Sequence, residues 1–429
     1  MMNAFFKGKT GNLPKAFYTL ATAAFAASFL GSREAQIAAQ IPPPAAPDPV
    51  ANVIAFGADP SGERDSTQAF VEALASGEIV YVPAGHYKIS NYDAIVLRKP
   101  LQELTGAGRT ASVLDYVGPC QPTVDGSHSA ITLSGPKEVV RDLGLTSTLP
   151  QKCILTGIRT ISDHGIVDNV AVTQMWHAGV GLHGNYNSLI DSDIEYNYYG
   201  VAAGGDHLLI RGNYISNHYS TSKEPRPWTN KSMYWDGIAG EGLTKAVIDG
   251  NTVDDNGQSG IYTGGNHSVS SGNIISYNVV RHNRNEGIDQ GVVGAVNASS
   301  NYLGKLIIVF NTSVDNFRRN IRLNEVDGAV VAYNIGSHTP DGARWWANDV
   351  RQGGDWANAC QIATATKGSQ SNDIVFVHNT CSQPNPAWPA LLVNTGAGEG
   401  NIIGQNSVQG ERSIAPNTDP RANFILPPK

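Results

Sequence analysis

The chain has 429 residues, 46 of them glycine, with 16% charged and 41% hydrophobic residues and a formal net charge of −7. That length admits two or three ordinary domains or one long solenoid, and a glycine-rich, charge-poor balance suits short strands and turns rather than long helices. The acidic balance argues against a nucleic-acid partner, which calls for a basic field.

At the N-terminus, Lys7, Lys9 and Lys15 precede an apolar run from Ala16 to Leu30, followed by small and polar residues. This order reads as a signal peptide over residues 1–38. The run is shorter than the roughly 20 apolar residues of a comfortable span, so a secreted or periplasmic product without stable membrane insertion is expected. A Pro/Ala linker follows at 39–50, and residues 51–429 read as one folded domain. Export agrees with the four cysteines. Cys120 with Cys153 and Cys360 with Cys381 suggest two local disulfides, although four cysteines permit three connectivities.

The next signals are a strand, a turn and a helix. IVYVP is strand-like, PAG is a turn, and a short helix is expected from about Thr67 to Ala75, N-capped by Asp65 or Ser66. From there on a unit of two apolar residues, two variable ones and Asn recurs, ending at Asn213, Asn251, Asn278, Asn311, Asn334, Asn379 and Asn406. Asp193 takes the same place in LIDSD, and a second Asn follows at Asn197, Asn217, Asn256, Asn283 and Asn316. The spacing of 20 to 45 residues fits turns of a β-solenoid, in which Asn side chains at one corner bond up and down a stack of parallel strands. A second strand follows each corner, with its buried position at Val180, Val201, Ile238, Ile261, Ile288 and Ile321. Gly precedes that position except at Asn320, which suggests a tight turn into the strand.

The stretch VANVIAFGADPSGERDSTQAFVEALASGEIVYVPAGHYKIS resembles the opening of the pectate-lyase-like superfamily of right-handed β-helix proteins, which also includes phage spike proteins. The resemblance implies an all-β fold, a right-handed single-stranded parallel β-helix with a short N-terminal capping helix. It also implies a link to polysaccharides, without naming a reaction. The chain carries neither the Asp-Pro-His-Asp motif of mannuronan epimerases nor the linked Asn-Thr-Asp and Gly-His-Gly signatures of polygalacturonases.

The strand register sorts side chains into columns. One residue past the buried position, the outward column reads Gly181, Ala202, Ala239, Tyr262, Asp289, Arg322. Two residues before it, the corner column reads Ala178, Tyr199, Asp236, Ser259, Glu286, Arg319. Small groups thus give way to ionisable ones on adjacent rungs about 4.8 Å apart. Two chemistries fit. β-Elimination on a uronic acid, the leading expectation, needs a base such as Tyr262 and cations such as Arg319 and Arg322 over the carboxylate. Asp236, Glu286 and Asp289 would then position sugar or hold Ca²⁺. Glycoside hydrolysis needs an acid/base pair, here Asp289 with Asp236 or Glu286. A glycan-binding surface without catalysis, or a self-satisfied salt-bridge ladder, uses the same residues. Arg281, His282, Arg284 and Arg318 crowd the region and point to an anionic polysaccharide, although the first three fall in a turn. Three insertions, about His218 to Tyr234, Gly291 to Lys305 and His338 to Asn372, break the coil. Trp228 beside Trp235, then Trp345, Trp346 and Trp356, with His267, are candidates to wall a sugar-binding groove.

Overall fold

The computed structural model describes residues 50–118, 128–149, 153, 155–218, 235–264, 270–290, 303–340, 342, 358–363, 371–394, 398–414 and 424–425. Each turn of the chain contributes three short strands, and every strand pairs in parallel with its equivalents one turn before and after. In one turn the first ladder is Val247–Asp249, the second Thr252–Asp254 and the third Ile261–Tyr262. The first and third ladders run together into a 27-stranded sheet and the second forms a 12-stranded sheet. This is the expected parallel β-helix. The predicted helix is also present, at Thr67–Ser76.

That helix lays Ala69, Phe70, Ala73 and Leu74 on the open end of the coil, where all four are buried. Its N-terminus is held by Asp65, whose Oδ1 accepts from the Thr67 N–H at 3.0 Å, while Ser66, at the cap position, makes no side-chain capping bond. At the other end, Gln102 Nε2 donates to the carbonyls of Leu74 and Gly77 at 2.7 and 2.9 Å. Orphan helix groups are thus satisfied at both ends.

Inside, one apolar column per ladder makes the core. The predicted buried column is real: Val180, Val201, Ile238, Ile261, Ile288 and Ile321 pair rung to rung and are fully buried. Leu189, Ile210, Ile248, Ile275, Ile308 and Val331 serve the first ladder, and Ile194, Ile215, Val253 and Val280 the second. Burial of each such side chain stabilises by about 1.5–3 kcal/mol. Further on, the second ladder narrows to Ser313, Gly336 and Cys381. The Cys360–Cys381 disulfide occupies that space, and a Cβ on Gly336 would meet Cys360 Sγ at 2.9 Å. Cys153 is also disulfide-bonded; Cys120 lies outside the described residues.

The Asn stack runs unbroken from Asn213 to Asn406. Asn278 Oδ1 accepts from both the backbone and side-chain amides of Asn251 at 2.9 Å, and Asn278 Nδ2 donates to Ile248 O and Asn311 Oδ1 at 2.9 Å. The pattern repeats at Asn311, Asn334 and Asn379. Two expected members are off by one. Leu189 pairs with Ile210, the second of its apolar pair, so the corner is Ser192 rather than Asp193, which lies in the second ladder. Likewise His218, not Asn217, joins the second stack, where its Nδ1 accepts from the Asn197 N–H at 3.1 Å. Burial pushes the His218 imidazole down to about 3, so it stays neutral.

Just before the stack Asn, the chain is left-handed at Gly212 and Gly250, then at Tyr277, Phe310, Tyr333 and His378. The last four rings stack outside at 5.1, 5.2 and 5.0 Å, which offsets a conformation that bulky residues rarely adopt.

The glycine before each buried position has a different reason from the tight turn expected of it. A Cβ on Gly260 would meet Asn283 Nδ2 at 2.7 Å, and one on Gly237 would meet Asn256 Nδ2 at 2.8 Å. The backbone passes directly over the second Asn stack. Asn320 is the exception because the stack ends at Asn316, and the Asn320 Oδ1 supplies the last acceptor at 2.8 Å.

Candidate functional site

The third ladder brings the predicted columns together as read. Tyr262 pairs with Asp289 and Asp289 with Arg322, while Asp236, Ser259, Glu286 and Arg319 follow one another along the corner through backbone bonds. Arg319 Nη1 donates to Glu286 Oε1 at 2.9 Å. Arg322 Nη1 lies 3.3 and 3.4 Å from the two Asp289 oxygens and 3.8 Å from Glu286 Oε1. Two arginines and two carboxylates therefore form one interlocked cluster.

Register makes the Asp289 column outward-facing, but it is not open to solvent: Asp289 is 3% exposed, Asp236 6% and Glu286 0%. Burial governs the chemistry here. It pushes the Asp236 carboxyl up to about 8, against the Ser259 N–H that donates to it at 2.8 Å, and the nearby charges of Asp289 and Glu286 push it further. Asp289 is likewise raised, first by burial and then by Glu286, with Arg322 pulling the other way. The Tyr262 hydroxyl is raised by burial and by the charges of Asp289, Asp236 and Glu241. It stays a neutral donor at any ordinary pH.

North of this cluster, toward the N-terminus, the outward column shrinks to Ala239, Ala202 and Gly181 and then meets Arg159. An aromatic wall flanks the small rungs. Trp235 packs on Tyr199 and Tyr198 with ring centroids 4.3 and 4.7 Å apart, and His177 lies 6.2 Å from Tyr199. Glu241 and His183 stand along the opposite margin. South of the cluster, Gln361 extends the column past Arg322.

Of the other candidates, Arg318 lies on the corner next to Arg319, three rungs from Trp235, and adds to the local positive charge. Arg281 and His282 instead pair with Asp254 on the second ladder at 3.0 and 2.9 Å, and Arg284 is fully buried. His267, Trp228, Trp345, Trp346 and Trp356 lie outside the described residues. Sequence reading missed Glu241, which stands two residues past Ala239 and so shares its face, and Gln361. The latter is hidden because the repeat is not visible in the sequence between His338 and Asn372, whereas Cys360–Ala363 is a third-ladder strand paired with Ile321–Asn324. The insertion before it likewise ends earlier than expected, since Leu303–Val309 is a first-ladder strand. Among the described residues, no group of three or more His, Cys, Asp or Glu side chains is placed to hold a metal ion, and no helix is long and apolar enough to cross a membrane.

Comparison with known proteins places this architecture. Residues 156–324 match the family model of the right handed beta helix region, and residues 50–149 that of rhamnogalacturonase A/epimerase, pectate lyase-like. The tail spike protein of Salmonella phage epsilon15 is 37% identical over 200 residues, a match covering 45% of this chain and 18% of that relative's length. Among solved structures, the Dettilon tailspike protein superposes with a TM-score of 0.76 at 24% identity, over 87% of this chain and 70% of that one. The A-module of the Azotobacter vinelandii mannuronan C-5 epimerase AlgE4 gives 0.57 at 16% identity, over 88% and 96%. A tailspike protein of E. coli bacteriophage HK620, in complex with a pentasaccharide, gives 0.51 at 14% identity, over 87% and 66%.

Proposed function

We propose that this chain, a right-handed parallel β-helix protein of the pectate-lyase-like superfamily, cleaves a polysaccharide laid along its third ladder, and does so by hydrolysis. The observation that carries the reading is a buried carboxyl group, Asp236, whose pKa burial raises to about 8, two rungs from a second one, Asp289, held by Arg322. Asp236 gives its proton to the departing glycosidic oxygen. Asp289 draws a proton from the attacking water, and Arg322 holds its carboxylate in place. The two carboxyl groups sit two rungs apart, about 9.6 Å along the axis. An inverting pair needs roughly 6.5–9.5 Å between its carboxyl groups, which leaves room for a water. Groups on different rungs are more in keeping with that than with the roughly 5–5.5 Å of a retaining pair.

β-Elimination draws less support from this geometry. Tyr262 holds its proton too tightly for a base, and Arg319 and Arg322 already face carboxylates. A glycan ligand is in keeping with the pentasaccharide on the HK620 tailspike protein, and the export segment read at 1–38 goes with action outside the cytoplasm.

Asp289→Asn and Arg322→Ala should each lower turnover at least about 100-fold, as loss of an acid/base or charge-stabilising group does. Because both sites are covered, their melting temperatures should be measured alongside. Tyr262→Phe separates the mechanisms: hydrolysis keeps most of its rate, with new reducing ends and no near-ultraviolet absorbance, while elimination is abolished. Ala202→Ser should be silent. Full activity in folded Asp289→Asn and Arg322→Ala would move the active site elsewhere.

Calcium gives a further test. An ion bound by Glu286 and Asp289 would have to displace both arginines, so the expected result is unchanged turnover after exhaustive EDTA treatment. Loss of activity restored by Ca²⁺ would favour elimination.

A further inference from the structure

The charges around the cleavage point say more about the substrate than about the reaction. Glu286 pairs with Arg319, and Asp289 with Arg322, so the two cations nearest the cleavage point are already matched by two anions. Asp236 is neutral while it holds its proton, and Glu241, on the same rung as Asp236, adds a negative charge. With Arg318 beside Arg319, the described face sets three arginines against Glu286, Asp289 and Glu241 and carries no net positive charge where the scissile bond lies. Glu286 Oε2 is buried without a hydrogen-bond donor. Arg319 Nε is likewise buried without an acceptor, so the cluster can use both the hydrogen and the oxygen of a hydroxyl group, whereas a carboxylate only accepts. Beside it stand Trp235 and Tyr199, whose rings offer apolar faces to sugar C–H groups. The remaining basic residue of the outward column, Arg159, lies four rungs before Tyr262, about 19 Å away along the axis.

We infer that the sugar ring cut at this site is uncharged and that the substrate is a neutral, hydroxyl-rich polysaccharide rather than a polyuronate. This rests on the hydrolytic reading above and reverses the anionic partner expected from the sequence. Among the described residues, a uronate at the cleavage point would be placed against Asp289 and Glu241 while Arg319 and Arg322 already face carboxylates, and Coulomb repulsion from the buried Asp289 is strong. Hydroxyl groups find acceptors on Glu286 and Asp289 and a donor in Tyr262.

The test uses the full chain and pairs of polymers that differ only in charge: a neutral glucan, galactan or rhamnan, and the same polymer with its primary hydroxyls (or, for rhamnan, a fraction of its diols) converted to carboxylates. Cleavage is read as new reducing ends, and binding as retention of each polymer in affinity electrophoresis. The expected result is cleavage of a neutral member with kcat/KM at least about 30-fold above its carboxylated form. Glu286→Gln, which releases Arg319, should narrow that ratio even as it slows the enzyme. Equal or faster cleavage of a carboxylated polymer, or tighter retention of it, overturns the inference while leaving hydrolysis standing. If no polymer is cut, hydrolysis fails, and retention then decides alone: neutral polymer held in preference supports the inference, and any other pattern overturns it.

Discussion

Asp236→Asn should lower turnover at least about 1000-fold and, at pH 8, raise the melting temperature. The first effect follows from removing the proposed proton donor, whose position Asp289, two rungs away, cannot take. The second follows from linkage. The folded state raises the Asp236 pKa to about 8, against about 3.9 in an unfolded chain. Between these values the native protein keeps a proton that the unfolded chain releases, so this group's contribution to stability is full below about pH 4 and is lost as pH rises toward 8. Asparagine cannot ionise and escapes that loss. Melts of both proteins at pH 4, 6 and 8 should show a gap that is small at pH 4 and widens with pH. Wild-type activity should fall on the alkaline side as Asp236 loses its proton. A variant that stays active, or that is destabilised equally at all three pH values, would show Asp236 to be structural.

Asn278→Leu should have the largest effect on stability, about 3–6 kcal/mol. Its amide serves four groups at once: the backbone and side-chain amides of Asn251, the Ile248 carbonyl and the Asn311 Oδ1. Leucine matches its size and satisfies none of them, and each buried polar group left alone costs about 1–3 kcal/mol. Chemical denaturation should show an earlier midpoint. Asn406, at the last described position of the stack, accepts only from Asn379 and donates to Phe376 O, so Asn406→Leu should cost less. Equal costs at both positions would mean that the amides act singly rather than as a relay.

The register of the third ladder was legible because Gly-Ile or Gly-Val recurs at one phase on successive turns, and that phase alone places Tyr262, Asp289 and Arg322 in one line. Where two apolar residues adjoin, as at Leu189 and Ile190, phase alone does not say which points inward. Hence the one-residue slip at Asp193. The glycine column was visible but its cause was not, since the obstructing Asn side chains come from the following turn, Asn256 over Gly237 and Asn283 over Gly260. Depth was the least legible quantity. Period two says which way Asp289 points, but how far it is covered depends on chain outside the periodic pattern, so a residue read as solvent-facing is 3% exposed. That burial raises the pKa of both the Asp236 and the Asp289 carboxyl groups, and Arg322 pulls that of Asp289 back.

Because each turn contributes one residue to the corner column and one to the outward column, the axial separation between Asp236 and Asp289 is quantised. Asp236 and Asp289 stand two turns apart with Ser259 and Tyr262 between them. Deleting that intervening turn would leave the Asn relay and the apolar interior in phase and bring the carboxyl groups closer by about 4.8 Å. That step is comparable to the gap between the inverting geometry and the roughly 5–5.5 Å of a retaining pair. On the hydrolytic reading, gain or loss of a whole turn in such a chain is thus a change of stereochemical outcome in waiting, reached without altering either carboxyl side chain.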